Sequence, residues 1–575
     1  MDDDDDGGMM PASEIFDRTA GRTNGGEDGL RLHIAASTAG ETPSSDQKAT
    51  ESQATKIVRD VVERDQTRLW HTPTGDGYLT LRVGCHWEHH SVRSGACRDY
   101  LSRVYFQRAR TAANSSAIAD AQNTLAALAR FEGETHPVSV RVAECEGRIY
   151  LDLADANWRV VEVDGDGWRV ISDPPVRFRR PRGLQALPEP VRGGAIADLA
   201  TFLNLSTEDD FRLCVAWALA ALRGRGPYPI LLLTAEQGSA KSTTTKVLRR
   251  LVDPNDADTR RPPRNTEHLM IAAANSHVVA FDNLSSLSEE LSDNLSALAT
   301  GSGFSVRQLY SNDEEHITYA CRPIILNGIS QFATRGDVLD RALALTLPPI
   351  ADSHRRDEDT FWRDFAAIHP RLLGAVLDAV AIGLRRWPEV QLPRLPRMAD
   401  FVRWSVAVEP GCPWPAGRFL AGYSRNRSTS VAVLLEGDPV AEVVKVLAEP
   451  GWVGTATALL AEVNARTPED VKRRREWFAS PKQLSDHLRR ILPALRKQGI
   501  RVTAKRRMKA RLIHISRGRG TQPGPRTRPE DTGPAASSAS SPSPDPPKLF
   551  DGDAHDADDA GAQHFSGPVK EEDEL

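Results

Sequence analysis

One stretch constrains the fold more than any other: LLLTAEQGSAKSTTTK, residues 231–246. An apolar run stops at a small-residue loop, and Lys241, Ser242 and three threonines follow. The usual phosphate loop reads G-x-x-x-x-G-K-[ST] between a strand and a helix. Ala235 and Ala240 stand at its two glycine positions, whereas Lys241, Ser242 and an internal Gly238 are present. PILLLT, with prolines beside it, suits a buried parallel strand, and STTTKVLRRLV opens a helix whose first N–H groups can hold a phosphate. Alanine costs backbone freedom but is small enough to leave the phosphate nest open. The nest would run through Ala235, Glu236, Gln237, Gly238, Ser239, Ala240, Lys241, Ser242 and Thr243. Lys241 would neutralise the terminal phosphate oxygens of ATP, and Ser242 would hold Mg²⁺. The competing reading is a chance match or a degenerate, regulatory site, which the two alanines favour.

The order downstream narrows the chance reading. In HVVAFDNLSS, apolar residues lead into Asp282, as a second buried strand delivers a Mg²⁺-coordinating carboxylate to its C-terminal edge. Asn283 follows, where many ATPases carry the glutamate that activates water. An asparagine orients water without taking its proton, so slow turnover is expected. PIILN then ends in Asn327, placed to position the attacking water or the γ-phosphate. DVLDRALALTLPPI sets Arg341 just ahead of another apolar strand. Two readings of Arg341 stay open: a finger reaching a neighbouring subunit's nucleotide, or a surface salt bridge with Asp337 or Asp340.

The loop, Asp282, LATGSGFSVRQLY, RPIILN and DRALALTLP follow the order of superfamily 3 helicases of the AAA+ class. Over residues 205–350 the chain resembles the primase–helicase and replication ATPases of phages and mobile elements. The resemblance implies ATP and Mg²⁺ as cofactors, a central parallel sheet, a homo-oligomeric ring (a hexamer is one size it could take) and DNA as partner. It also implies a β-hairpin lining the ring pore, here Phe304–Tyr310 against His316–Cys321. The hairpin tip SNDEE is acidic where the family favours a basic residue, which leaves Arg307 and His316 as the positive candidates for DNA contact.

A chain of 575 residues exceeds one ordinary core, so two to four domains are expected. Residues 1–52 are acidic and rich in Gly, Ser and Thr, and 518–575 are rich in Pro, Ser, Gly and Asp; both read as disordered tails. Between them, 53–190 reads as an α+β domain: helical spacing at 95–132 and, at 138–180, the alternation of a β-meander. The phosphate-loop domain is expected at 191–350 and a helical domain at 351–450. His71, His86, His89 and His90 have no second ligand cluster at zinc-like spacing and read as surface histidines. Six scattered cysteines without a CxxC pair, no run approaching about 18 apolar residues and an acidic start point to a reduced, cytoplasmic protein with no membrane partner.

The segment 451–517 reads as helix, helix and a hairpin with the basic tip KRRMK, the layout of a winged helix. The net charge of −5 hides its local balance, since residues 460–517 hold 17 Lys/Arg against 5 Asp/Glu. Arg489, Arg490, Lys505, Arg506, Arg507, Lys509 and Arg511 would face DNA phosphates. A solvated basic face, or a dock for the acidic tail, is the alternative. The fold expected is therefore α/β and multidomain. The function expected is a DNA-directed ATPase of helicase-like or replication-initiator type, with a nucleotide-gated DNA-binding switch as its rival.

Overall fold

The computed structural model describes residues 51–301, 303–307, 315–328, 336–436, 438–473, 477–507 and 510–518. The expected tails lie outside them, apart from positions 51, 52 and 518. The chain divides into two compact units, residues 1–430 and 431–575.

In the first unit, α1 (Gln53–Val62), β1 (Thr67–His71), β2 (Gly77–Val83), β3 (His86–Ser91), α2 (Gly95–Ala109), α3 (Ser115–Glu132) and β4 (Glu134–Thr135) come first. Ser52, Ser94 and Asn114 cap the three helices through their side-chain oxygens. The sheet order is β3-β2-β1-β4. Alternation along β2 sends Leu79 and Leu81 into a core with Ile57, Val61, Leu101, Ile118 and Leu125 of the helices. The opposite face carries Trp70, Tyr78 and Thr80.

Next, β5 (Val138–Ser139) pairs in parallel with β10 (Arg177–Phe178), enclosing the antiparallel meander of β6 (Val142–Cys145), β7 (Arg148–Asp152), β8 (Val160–Asp164) and β9 (Gly167–Ile171). One face of the meander is apolar and needs cover. Ile149, Leu151, Val161 and Val163 share a single core with α4 (Glu208–Ala221), the central parallel sheet and the later helices. The divisions expected near 190 and 350 are therefore not breaks in packing.

The central sheet contains β11 (Ile230–Thr234), followed by α5 (Lys241–Val252) and α6 (Thr266–Ala274), then β12 (Val279–Leu284) and α7 (Glu289–Thr300). The antiparallel hairpin β13 (Gly303–Arg307) and β14 (Glu315–Tyr319) precedes β15 (Ile324–Gly328) and β16 (Ala342–Thr346). Its order is β12-β15-β11-β16, with β11 parallel to both neighbours and β12 parallel to β15. Helices α8 (Glu358–Arg386), α9 (Ala399–Val408) and α10 (Arg418–Glu436) follow. Helix α8 is long and apolar enough to cross a bilayer, but Leu372, Leu373, Val376, Leu377 and Val380 are buried in the shared core.

A buried charge cluster ties the meander to the sheet. Arg141 Nε donates to Asp253 Oδ1 at 3.1 Å, and both side chains are fully buried. The other Asp253 oxygen accepts the backbone N–H groups of His277 and Val278, each at 3.0 Å, at the start of β12. Burial alone would raise the Asp253 carboxyl, but Arg141 and Arg249 outweigh it and hold it below the usual carboxylate range. Removing one partner of such a pair costs about 3–5 kcal/mol, because the other charge stays buried.

The second unit runs α11 (Pro439–Ala448), β17 (Trp452–Gly454), α12 (Ala456–Arg466), α13 (Pro481–Lys497), β18 (Ile500–Arg507) and β19 (Ala510–Arg517), with sheet order β17-β19-β18. Helix α11 falls in the segment expected to belong to the helical domain. Val440, Val444 and Leu447 instead pack with Leu459, Leu488, Leu492 and Ile515 in the core of this second unit.

Candidate nucleotide site and basic face

β11 ends at Thr234, and α5 begins at Lys241 itself. The loop between them turns through two left-handed residues, Gly238 at φ 82° and Ala240 at φ 55°. The second is a conformation glycine adopts freely, and an L-residue there costs about 1–2 kcal/mol. Ala235 is buried, so its methyl group packs inward rather than into the loop's mouth. Ser239 Oγ closes the turn by donating to the Glu236 carbonyl at 2.8 Å. Lys241 Nζ donates to the Ala235 and Glu236 carbonyls at 2.8 and 2.7 Å. Desolvation lowers the pKa of this ammonium, opposed by the nearby Asp282.

The strand order carries the rest of the geometry. β15 lies between β11 and β12, so Asn327, paired with Leu233, stands between the phosphate loop and the Asp282 strand. β12 breaks register between Phe281 and Leu284, and Asn283 takes φ 62° there. Asparagine tolerates that conformation better than most residues, which is a backbone reason for Asn283 that spacing alone does not reveal. The buried Asn327 accepts the Asn283 N–H at 3.0 Å and donates to Thr245 Oγ1 at 2.9 Å. Thr245 in turn donates to the Lys241 carbonyl at 3.0 Å. A cleft of about 400 Å³ opens here, lined by residues 237–243, Asp282, Asn283 and Asn327. Ser242 and Asp282, one hydroxyl and one carboxylate on the same cleft, form a donor set that suits a hard divalent cation.

Three residues around the loop were not anticipated. Thr245 links Lys241 to Asn327. Asn204 Nδ2 donates to Ser239 O at 3.1 Å and Pro348 O at 2.7 Å, strapping the loop to the chain that leaves β16. Arg355 places Nη2 3.6 Å from where a Cβ on Gly238 would lie. Thr245 carried a signal, since it follows Lys241 by one helical turn. Asn204 and Arg355 reach the loop only through tertiary folding.

Arg341 is not brought to this cleft. Its carbonyl accepts the N–H of Ile230, at the opposite end of β11 from the loop, at 3.0 Å. Five strand residues separate it from the phosphate loop, about 16 Å. Asp340 beside it pairs with Arg397 and Arg427.

On the second unit, α13 buries Leu484, Leu488, Ile491 and Leu495 and leaves Arg489 and Arg490 exposed, the former paired with Asp486 at 2.7 Å. Arg511 is exposed on β19, opposite Arg506 in register. The side chains of Lys505, Arg506, Arg507, Arg307, His316, Glu315 and Asp337, all of Lys509, and residues 311–314 of the SNDEE tip lie outside the described residues.

The four N-terminal histidines are half-buried rather than on the surface. β3 is paired into the sheet, His86 and His90 both bond Glu88, and His89 bonds Thr80. Burial, with Arg177 nearby, pushes the His89 imidazole down to about 3. Among the described residues no group of three or more His, Cys, Asp or Glu side chains could hold a metal ion.

Residues 196–414 match the family model of the actinomycete integrative conjugative element replication protein, and residues 439–532 match that of the C-terminal domain of the same RepA family. Over these two segments the chain is similar to that family. The first match begins before the phosphate loop and ends beyond α9, and the second falls within the second unit. Comparison with curated proteins finds no match. Among solved structures, the apo C-terminal region of NrS-1 is similar at 10% identity and TM-score 0.37, over 80% of this chain and 98% of that one. JCV helicase is similar at 12% identity and TM-score 0.20, over 36% and 67% respectively. Likenesses of this size leave function to be argued from this chain's own residues.

Proposed function

We propose that this replication protein of a mobile element is a Mg²⁺-dependent ATPase that acts on DNA in a helicase-like or replication-initiating role. One observation carries the reading: Lys241, Ser242, Asp282 and Asn327, from three adjacent parallel strands or their following turns, converge on one cleft. Bound Mg²⁺–ATP would supply the phosphoryl group and the charge to be neutralised. Loop N–H groups and Lys241 bind its phosphates, Ser242 and Asp282 face the cation, and Asn327 orients water. Arg341 lies too far along the sheet to serve its own cleft, which supports action in trans within a homo-oligomeric ring, with the salt-bridge role as the alternative.

In the second unit, the succession helix–strand–helix, a one-turn helix at Glu469–Lys472, helix and hairpin supports a winged-helix reading, with the exposed Arg489, Arg490 and Arg511 against phosphates. Phosphate contacts carry no base information, so Arg489→Glu with Arg490→Glu should weaken unrelated duplexes alike and flatten the salt dependence. The test of the whole reading is ATP turnover by the purified chain, with and without single- and double-stranded DNA. Asn283 favours a second reading, a nucleotide-gated DNA-binding switch, because no carboxylate follows Asp282 to take a proton from water. Strand displacement on a forked substrate separates the two.

A further inference from the structure

The N-terminal sheet has one face packed on its three helices and another rich in arginine and aromatic rings. Register places Arg68, Trp70, Tyr78, Thr80, Arg82, Trp87 and His89 on that second face. Part of it is closed: Trp70 stacks on Tyr78 with centroids 4.5 Å apart, and Arg177 covers Trp70 at 4.7 Å. Both rings are buried. At the edge strand β3 the residues are half-buried, and Trp158 packs edge-on against His89 and His90.

There Arg68 and Arg82 hold their guanidinium carbons 5.2 and 5.7 Å from the Trp87 ring centroid. Both arginines are exposed and Trp87 is half-buried. Among the described residues, neither guanidinium pairs with a carboxylate. An exposed cation–π contact contributes only about 0.5–1 kcal/mol, so the two cations are ordered yet easily redirected. The sheet thus carries two exposed positive groups over one indole, and a base that stacks there takes the place of a guanidinium on the ring.

We propose that Arg68, Trp87 and Arg82 form a binding platform for an unpaired nucleic-acid strand. A base stacks on the indole while the arginines take the phosphates on either side. Stacking of this kind contributes about 1–3 kcal/mol per base and tolerates any sequence. A duplex keeps its bases within its own stack and cannot use the ring. The platform shares no residue with the nucleotide cleft or with the basic C-terminal segment, and it stands whether or not the chain hydrolyses ATP.

The test is fluorescence anisotropy of the full chain with labelled oligothymidylate, with labelled oligouridylate and with a labelled duplex. Trp87→Ala should weaken the preferred single strand about 10-fold, and Arg68→Ala with Arg82→Ala at least as much. Duplex affinity, carried by the C-terminal face, should stay put in both. Trp87→Phe should recover most of the loss, since the ring and not the indole N–H is used, and this variant guards against simple misfolding. Whichever oligonucleotide binds tighter identifies the strand as DNA or RNA. Unchanged single-strand affinity in the Trp87→Ala and double-arginine variants overturns the proposal. So does a parallel loss of duplex binding.

Discussion

The side-chain carbonyl of Asn327 accepts the backbone N–H of Asn283 at 3.0 Å, joining the central strand of the sheet to the residue after Asp282. With its Nδ2 on Thr245, the same amide spans the floor of the cleft. Asn327→Ala leaves the buried Thr245 hydroxyl without its donor, a loss of about 1–3 kcal/mol, and frees the Asn283 N–H of the exposed turn. ATP hydrolysis should collapse, while ATP binding, held by Lys241 and the loop, should persist. Comparing steady-state turnover with calorimetric affinity checks both halves.

Ala240 sits in the left-handed region at φ 55°. Ala240→Gly removes that strain at the expense of a looser unfolded chain, so a net gain of about 1 kcal/mol or less is expected. Denaturant midpoints measure it. Destabilisation would contradict the left-handed loop.

His277 and His369 are both buried and held neutral, each imidazole pushed down to about 4. Their folded values lie below the unfolded one near 6.5, so the unfolded chain binds more protons between the two. Stability should therefore be full above about pH 6.5 and decline as pH falls toward 4. Melting temperature recorded across that window should show the slope, and His277→Gln should reduce it without abolishing it, since His369 and His89 remain.

Arg341 and Asp282 test assembly and chemistry together. Arg341→Ala and Asp282→Asn should each bind ATP and hydrolyse it poorly, since finger arginines can be worth ~10³-fold or more. Mixing the two inactive proteins should restore part of the turnover through interfaces with one intact site and one intact arginine. A mixture that forms mixed oligomers and stays inactive leaves Arg341 as a salt-bridge residue.

What could be read before folding, and what could not, divides along physical lines. The loop after β11, Asp282 and Asn327 are legible in sequence because each ends an apolar strand, and parallel strands deliver their C-terminal residues to one edge. The left-handed turn at Asn283 was not, because it arises from a break in register with β15. Asn204 and Arg355 approach the loop from distant sequence and carry no local signature. Alternation in the meander announced an apolar face without saying that α8 covers it, so a boundary was expected where the core is continuous. Composition does not change at residue 431, so nothing local in the sequence assigns α11 to the second unit.

The central claim is that the loop binds a nucleotide despite its two alanines. Titration calorimetry of the full chain with Mg²⁺–ATP, beside Lys241→Ala, tests it most directly. Saturable binding by the wild-type chain is predicted, with most of the affinity lost in Lys241→Ala and its melting temperature unchanged. No heat of binding from the wild-type chain at near-millimolar nucleotide would contradict it.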